Sequence, residues 1–165
     1  METQVILALG IGIAAVAEDL WRRQISNWTS LAALTGGLGL HFYEKGGQGI
    51  VTAFGSALAG FGVFLAFYLL GGMGGGDIKL MAGFGAVLGR PSILIDAALY
   101  AAAIGGLMAV LVLGTRVALS MIRSNKVKVK EANEPTDSDA AEKRASIPYA
   151  PAITLGVWLA LIGNI

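Results

Sequence analysis

The chain contains no cysteine, one histidine and few charges. Without cysteine there can be no disulfide, no thiol nucleophile and no thiolate metal site. A single histidine, His41, makes a histidine-built metal site or a Ser-His-Asp triad an unsuitable reading. Charged residues are 14% of the chain, against roughly 25% in a soluble domain. The deficit is concentrated: residues 50–70 and 97–115 carry no charge at all. The net charge of +1 supplies no basic surface for nucleic acid, so no nucleic-acid partner is expected.

What is abundant is apolar residues, 55% of the 165, and glycine, at 24. Uncharged runs near 20 residues are transmembrane candidates. Glycines inside such runs let helices approach closely in lipid. Six apolar segments are expected, at about 3–17, 28–42, 50–70, 78–88, 92–119 and 149–165. The fold class is therefore all-α, a polytopic membrane helix bundle of about six transmembrane helices in a single domain. Ala15-Val16-Ala17 has the form of a signal-peptide cleavage site. However, no basic residue precedes the apolar stretch, and Arg22 and Arg23 follow it, so the segment reads as a retained helix.

Alternation of six crossings sorts the loops into two sets. One side receives Arg22, Arg23, Lys79, Arg123, Lys126, Lys128, Lys130, Lys143 and Arg144, with Arg116 near it; the other receives Lys45 and Arg90. The positive-inside rule makes the first side cytoplasmic and puts the N-terminus outside. The loop at about 123–147 starts basic and turns acidic and small, a composition that stays mobile. Its lysines can touch anionic lipid.

Ionisable residues in or beside apolar segments are functional candidates by default. They are Glu18, Asp19, Asp77, Lys79, Asp96 and Arg116. Asp19 ends the first segment and Asp77 opens the fourth. Opposite chain directions bring both to the same membrane boundary. Two carboxylates at close range resist joint ionisation and can share one proton. The ionised member then takes a proton from water while the protonated member polarises a peptide carbonyl, which is general acid–base hydrolysis. The plainer readings stay open: Asp19 as a helix-end charge near Arg22 and Arg23, Asp77 as an acid favoured by a helix N-terminus.

Asp77 is preceded by Gly71-Gly72-Met73-Gly74-Gly75-Gly76. Such a backbone bends sharply and leaves room for an extended substrate strand. It is not a phosphate loop, since the Gly-Lys-Ser/Thr ending is missing. Gly83 to Gly89 loosely matches a dinucleotide fingerprint, but it lies in an apolar segment with no strand before it and reads as helix packing. Glu18 adjoins Asp19 on another helical face and reads as solvated. Asp96 reads as structural or facing the outer side. His41, Tyr43, Trp28 and Trp158 read as membrane-interface residues.

Gly74-Gly75-Gly76-Asp77 matches the GxGD motif of intramembrane aspartyl proteases, and with Lys79 it resembles the GxGDxK form of type IV prepilin and archaeal preflagellin peptidases. Asp19-Leu20-Trp21-Arg22-Arg23-Gln24-Ile25-Ser26-Asn27 is similar to the first motif of that family, with Ser26 where proline is commoner. Ile147-Pro148-Tyr149-Ala150-Pro151 is similar to its tail. The resemblance implies cleavage of the leader peptide of pilin-like or pseudopilin precursors at the cytoplasmic face of a bacterial inner membrane. It implies catalytic roles for Asp19 and Asp77. Gly74, Gly76, Lys79, Asn27 and Pro148 would support the active-site loop. No metal and no cofactor are implied. The cysteine-bearing methyltransferase domain of the large members has no counterpart, so the short peptidase of tight-adherence (Flp-type) pilus systems is the form expected. Glu18 and the acidic half of the 123–147 loop are candidates for reading a basic leader. Two other readings remain: a GxGD peptidase of different specificity, such as a signal-peptide peptidase, and a transporter or secretion-assembly subunit built on a broken helix.

Overall fold

The computed structural model describes residues 2–22, 24–69, 73–124 and 149–164. Most of the loop expected at 123–147 lies outside the described residues, as does Pro148; the helix before it continues through Arg123 to Ser124. Among the described residues every regular element is an α-helix: α1 (Glu2–Arg22), α2 (Asn27–Leu69), α3 (Gly75–Leu88), α4 (Pro91–Ser124) and α5 (Ala150–Gly163).

The 43-residue α2 departs from helical geometry at Gly46, where φ is 61° and ψ is −142°. A left-handed φ of this kind suits glycine because it has no Cβ. The packing of α2 on α3 shows what the kink does. Along residues 27–45 the contacts rise together: Ala33 faces Gly83, Gly37 faces Ala86 and Val87, and His41 faces Gly89. Along residues 47–69 they run the other way, with Ser56 against Gly85 and Gly60 against Met81. The first arm is thus parallel to α3 and the second antiparallel to it. Gly46 reverses the chain, and the two expected segments at 28–42 and 50–70 are the arms of one helical hairpin.

Among the described residues three helices are long and apolar enough to cross a membrane: Glu2–Arg22, Asn27–Leu69 and Pro91–Thr115. With the hairpin, the second supplies two arms. α3 and α5 have 14 residues each. At 1.5 Å per residue that is about 21 Å, short of the ~30 Å hydrocarbon core. The protein is therefore an all-α membrane protein with three candidate spanning helices among the described residues, and the expected six crossings are more than these lengths alone establish.

α3 is the centre of the bundle. Ten of its residues are buried, including the fully enclosed Leu80, Met81 and Phe84. α5 lies antiparallel to α1, with Asp19 near Ala150, Gly12 near Thr154, and Ala8 near Trp158. It is also antiparallel to α4, with Gly105 against Tyr149 and Gly156 against Ala101. These registers gather the end of α1 and the starts of α2, α3 and α5 at one end of the bundle.

Two expected interface residues lie elsewhere. His41 is 1% exposed, and its Nε2 donates to the carbonyl of Val87 at 3.1 Å. Trp158 is half-buried, its indole N–H 3.4 Å from the carbonyl of Ala8. Both are polar-tipped rings turned inward, where a backbone carbonyl replaces water as the partner. Trp28 and Tyr43 are strongly exposed, as an interface position requires.

Candidate active site

α1 runs about five residues past its apolar run and ends at Arg22, so Asp19 lies inside the helix and not beyond it. Its side chain faces the bundle and is 7% exposed. One carboxylate oxygen, Oδ2, accepts the backbone N–H of Ala150 at 3.0 Å. That N–H belongs to the first residue of α5, one of the groups a helix leaves without an internal partner. Asp19 therefore closes the end of a helix that is 131 positions away in sequence.

Asp77 is held by its own helix. α3 starts after Gly74, whose backbone is extended (φ −82°, ψ 154°), and Asp77 is the third residue of the first turn. Its backbone N–H donates to the Gly74 carbonyl at 3.2 Å, and its Oδ2 accepts the Gly74 N–H at 3.1 Å. This is the reach-back half of a capping box, an acid at the third position satisfying the cap residue's N–H. Glycine at 74 has no side chain to complete the other half. Asp77 is 7% exposed, as Asp19 is. The two carboxylates interact electrostatically.

The surrounding residues tie the first motif to the second. Lys79 Nζ donates to Asn27 Oδ1 at 2.9 Å, linking α3 to the first residue of α2. Gly76 lies against Ile25: a Cβ at position 76 would stand 3.2 Å from the Cβ of Ile25. Gly74 borders the Asp77 carboxylate, where a Cβ would lie 3.4 Å from Oδ2. Asp19, Asp77, Gly74, Gly76, Lys79 and Asn27 thus share one end of the bundle; Pro148 lies outside the described residues. Asp96 is at the far end, 3.4 Å from Asn164 Nδ2. Among the described residues no group of three or more acidic or histidine side chains is placed to hold a metal ion.

Two participants were not expected from the sequence. Ala150 contributes only a backbone N–H, which no side-chain motif can advertise, although it stands in the tail segment singled out above. Glu18 is not simply solvated. It is half-buried and accepts the Ser26 N–H at 2.9 Å and the Thr29 hydroxyl at 2.7 Å. The available signal was Ser26 just before the second apolar run, a residue type that caps a helix start.

Two buried carboxylates, each accepting a backbone N–H, thus lie at one end of the bundle within electrostatic reach of each other. Such a pair can take a proton from water and give one to a carbonyl oxygen. Comparison with curated proteins and with solved structures finds no match. A family model does match, over residues 6–111, under the description type IV leader peptidase family. That span takes in both aspartates and the glycine-rich approach to the second. With the match covering more than half of its length, the chain belongs to the type IV leader peptidase family.

Proposed function

We propose that this peptidase is an aspartyl endopeptidase whose catalytic pair is Asp19 and Asp77. What supports the reading most is that two motifs distant in sequence each bury one aspartate at the same end of the bundle, within electrostatic reach of each other. One carboxylate removes a proton from water as it attacks the scissile carbonyl; the other, protonated, donates to the carbonyl oxygen. Collapse of the tetrahedral intermediate returns a proton to the leaving amine, and no covalent enzyme intermediate forms. Gly74 leaves the Asp77 carboxylate open to the substrate backbone, Gly76 makes room for Ile25, and the Lys79–Asn27 bond ties the two motifs together.

The substrate in this reading is a pilin-like precursor whose leader peptide is removed at the cytoplasmic face of a bacterial inner membrane. The charge pattern supports that side: if the N-terminus lies outside, Arg22 and Lys79 share the end of the bundle that carries the pair, and the positive-inside rule turns that end to the cytoplasm. A cysteine-dependent methyltransferase activity is not part of the reading, since the chain has no cysteine. Nothing in the geometry favours an ion-carrying role over hydrolysis.

Co-expression with a pilin-like precursor tests the assignment. Asp19→Asn and Asp77→Asn should each lower processing by about 10²–10⁴-fold, the scale of one general acid–base group. Normal leader removal by either variant rules out the pair.

A further inference from the structure

α2 starts with a side-chain cap of its own. Ser26 Oγ accepts the N–H of Trp28 at 3.1 Å, and the Ser26 carbonyl accepts the N–H of Ser30 at 3.3 Å. In a capping box the third helical residue is an acid that returns to bind the cap residue's N–H. Here that third residue is Thr29, whose hydroxyl points the other way, to Glu18. Glu18 Oε2 accepts both this hydroxyl and the Ser26 N–H. One oxygen of α1 thus completes the cap of α2.

The brace acts on the neighbouring active-site residues. Glu18 precedes Asp19 on α1. Ile25 and Asn27 flank the braced Ser26, and each touches the segment that carries Asp77, Ile25 through Gly76 and Asn27 through Lys79. The α1–α2 turn is therefore one of the connections between the two aspartates, and Glu18 bonds to both Ser26 and Thr29 at its far side. Building on the catalytic reading above, we propose that Glu18 is a positioning residue: as the cap acid of α2 supplied from α1, it sets the separation of Asp19 and Asp77. It does so as a hydrogen-bond acceptor, not as a charge that attracts a basic leader.

The test is steady-state kinetics of the full chain in detergent with a pilin-like precursor. Glu18→Ala should lower kcat by about ten- to hundredfold, the cost of misplacing catalytic groups by up to 1 Å, with KM unchanged. Glu18→Gln keeps an acceptor oxygen and should restore most of the rate. A rise in KM for Glu18→Gln would instead mean that the charge reads the leader and would overturn the proposal. So would a wild-type kcat in Glu18→Ala. Thr29→Val removes one donor with little change of shape; it should lower kcat in the same sense by a smaller factor, and it carries the test if Glu18→Ala does not fold.

A second readout does not depend on catalysis. The chain has no cysteine, so Ile25→Cys paired with Gly76→Cys reports the distance across the site without background. Disulfide formation should be several-fold slower with Glu18→Ala and restored with Glu18→Gln; equal rates in all three backgrounds count against the brace. Asp19→Asn and Asp77→Asn in the kinetic assay separate the two levels. If either processes precursor normally, the catalytic reading fails. If both are inactive while Glu18→Ala keeps its kcat, only the positioning role fails.

Discussion

At the far end of the bundle from the aspartates, one ring and one glycine settle how α3 ends. Gly89 takes φ +58° after Leu88, and its N–H donates to the Gly85 carbonyl at 3.0 Å. A left-handed residue directly after the last helical turn is a common helix stop. The His41 imidazole fills the space where a Cβ would stand, while its Nε2 binds the Val87 carbonyl at 3.1 Å. Ala at 89 would therefore meet two penalties, a left-handed backbone at about 1–2 kcal/mol and a collision with a ring that has nowhere to move. Gly89→Ala should lower the thermal midpoint of the purified protein, by an amount equivalent to roughly 2 kcal/mol or more. Gly10→Ala is the control: nothing lies within 4 Å of that position, so it should leave the midpoint unchanged or slightly raised. Equal melting of the two variants would mean that the His41–Gly89 contact does not hold the helix end.

At the scale of elements, most of the bundle was legible in the sequence and some of the site was not. The apolar runs all fall on helices, because a membrane helix must satisfy its backbone internally, although α1 and α4 each continue about five residues past the expected end. The glycines of 83–89 read as helix packing, and Gly83 and Gly85 do meet the arms of α2 directly. The aspartates and the glycine loop stand out in the sequence through motif and spacing, and both aspartates are buried at one end of the bundle. His41 was misplaced because position along an apolar run gives depth but not which face turns inward. Glu18 was misread because the i, i+1 rule separates it from Asp19 without revealing that α2 begins beside it. Ser26 looked like a departure from a pattern that prefers proline; its N–H, which proline lacks, is the one donated to Glu18. The α2–α3 packing makes its own prediction. A Cβ at Gly60 would lie 2.8 Å from the Met81 carbonyl oxygen, whereas Gly62, on the same arm, has nothing within 4 Å. Gly60→Val should push α2 off α3, costing about 1–3 kcal/mol by overpacking. Precursor processing should fall with it, since α3 carries Asp77. Gly62→Val should process precursor normally. If the Gly60 variant is as stable and active as the Gly62 variant, backbone approach at this crossing is not what seats α3.

For the whole molecule, the hairpin at Gly46 carries the topology. A straight helix of 43 residues would extend about 65 Å, more than twice the hydrocarbon thickness. The reversal at Gly46 instead returns the chain to the end where α3 starts. It leaves Tyr43 90% exposed beside Glu44 and Lys45, an aromatic and charged tip of the kind found at a membrane surface. The α1–α2 turn has the same character at the other end of the bundle, with exposed Trp21 and Trp28 flanking Arg22 on the side of the aspartates. If α1 and the first arm of α2 each cross the bilayer, these two turns face opposite compartments, and the positive-inside rule puts Arg22 in the cytoplasm. The chain's lack of cysteine makes this directly measurable. A single cysteine at the exposed Gln24 should be protected from a membrane-impermeant maleimide in intact cells and react once the membrane is opened. One at the exposed Gln48 should react in intact cells of a strain whose outer membrane admits the reagent. The reverse pattern would keep the fold but move the aspartates to the outer face, where a cytoplasmic leader could not reach them. Labelling of both from one side would show that the two arms of α2 do not each cross. Either result bears on function as much as on topology, because a peptidase for leaders that remain inside must present Asp19 and Asp77 to the cytoplasm.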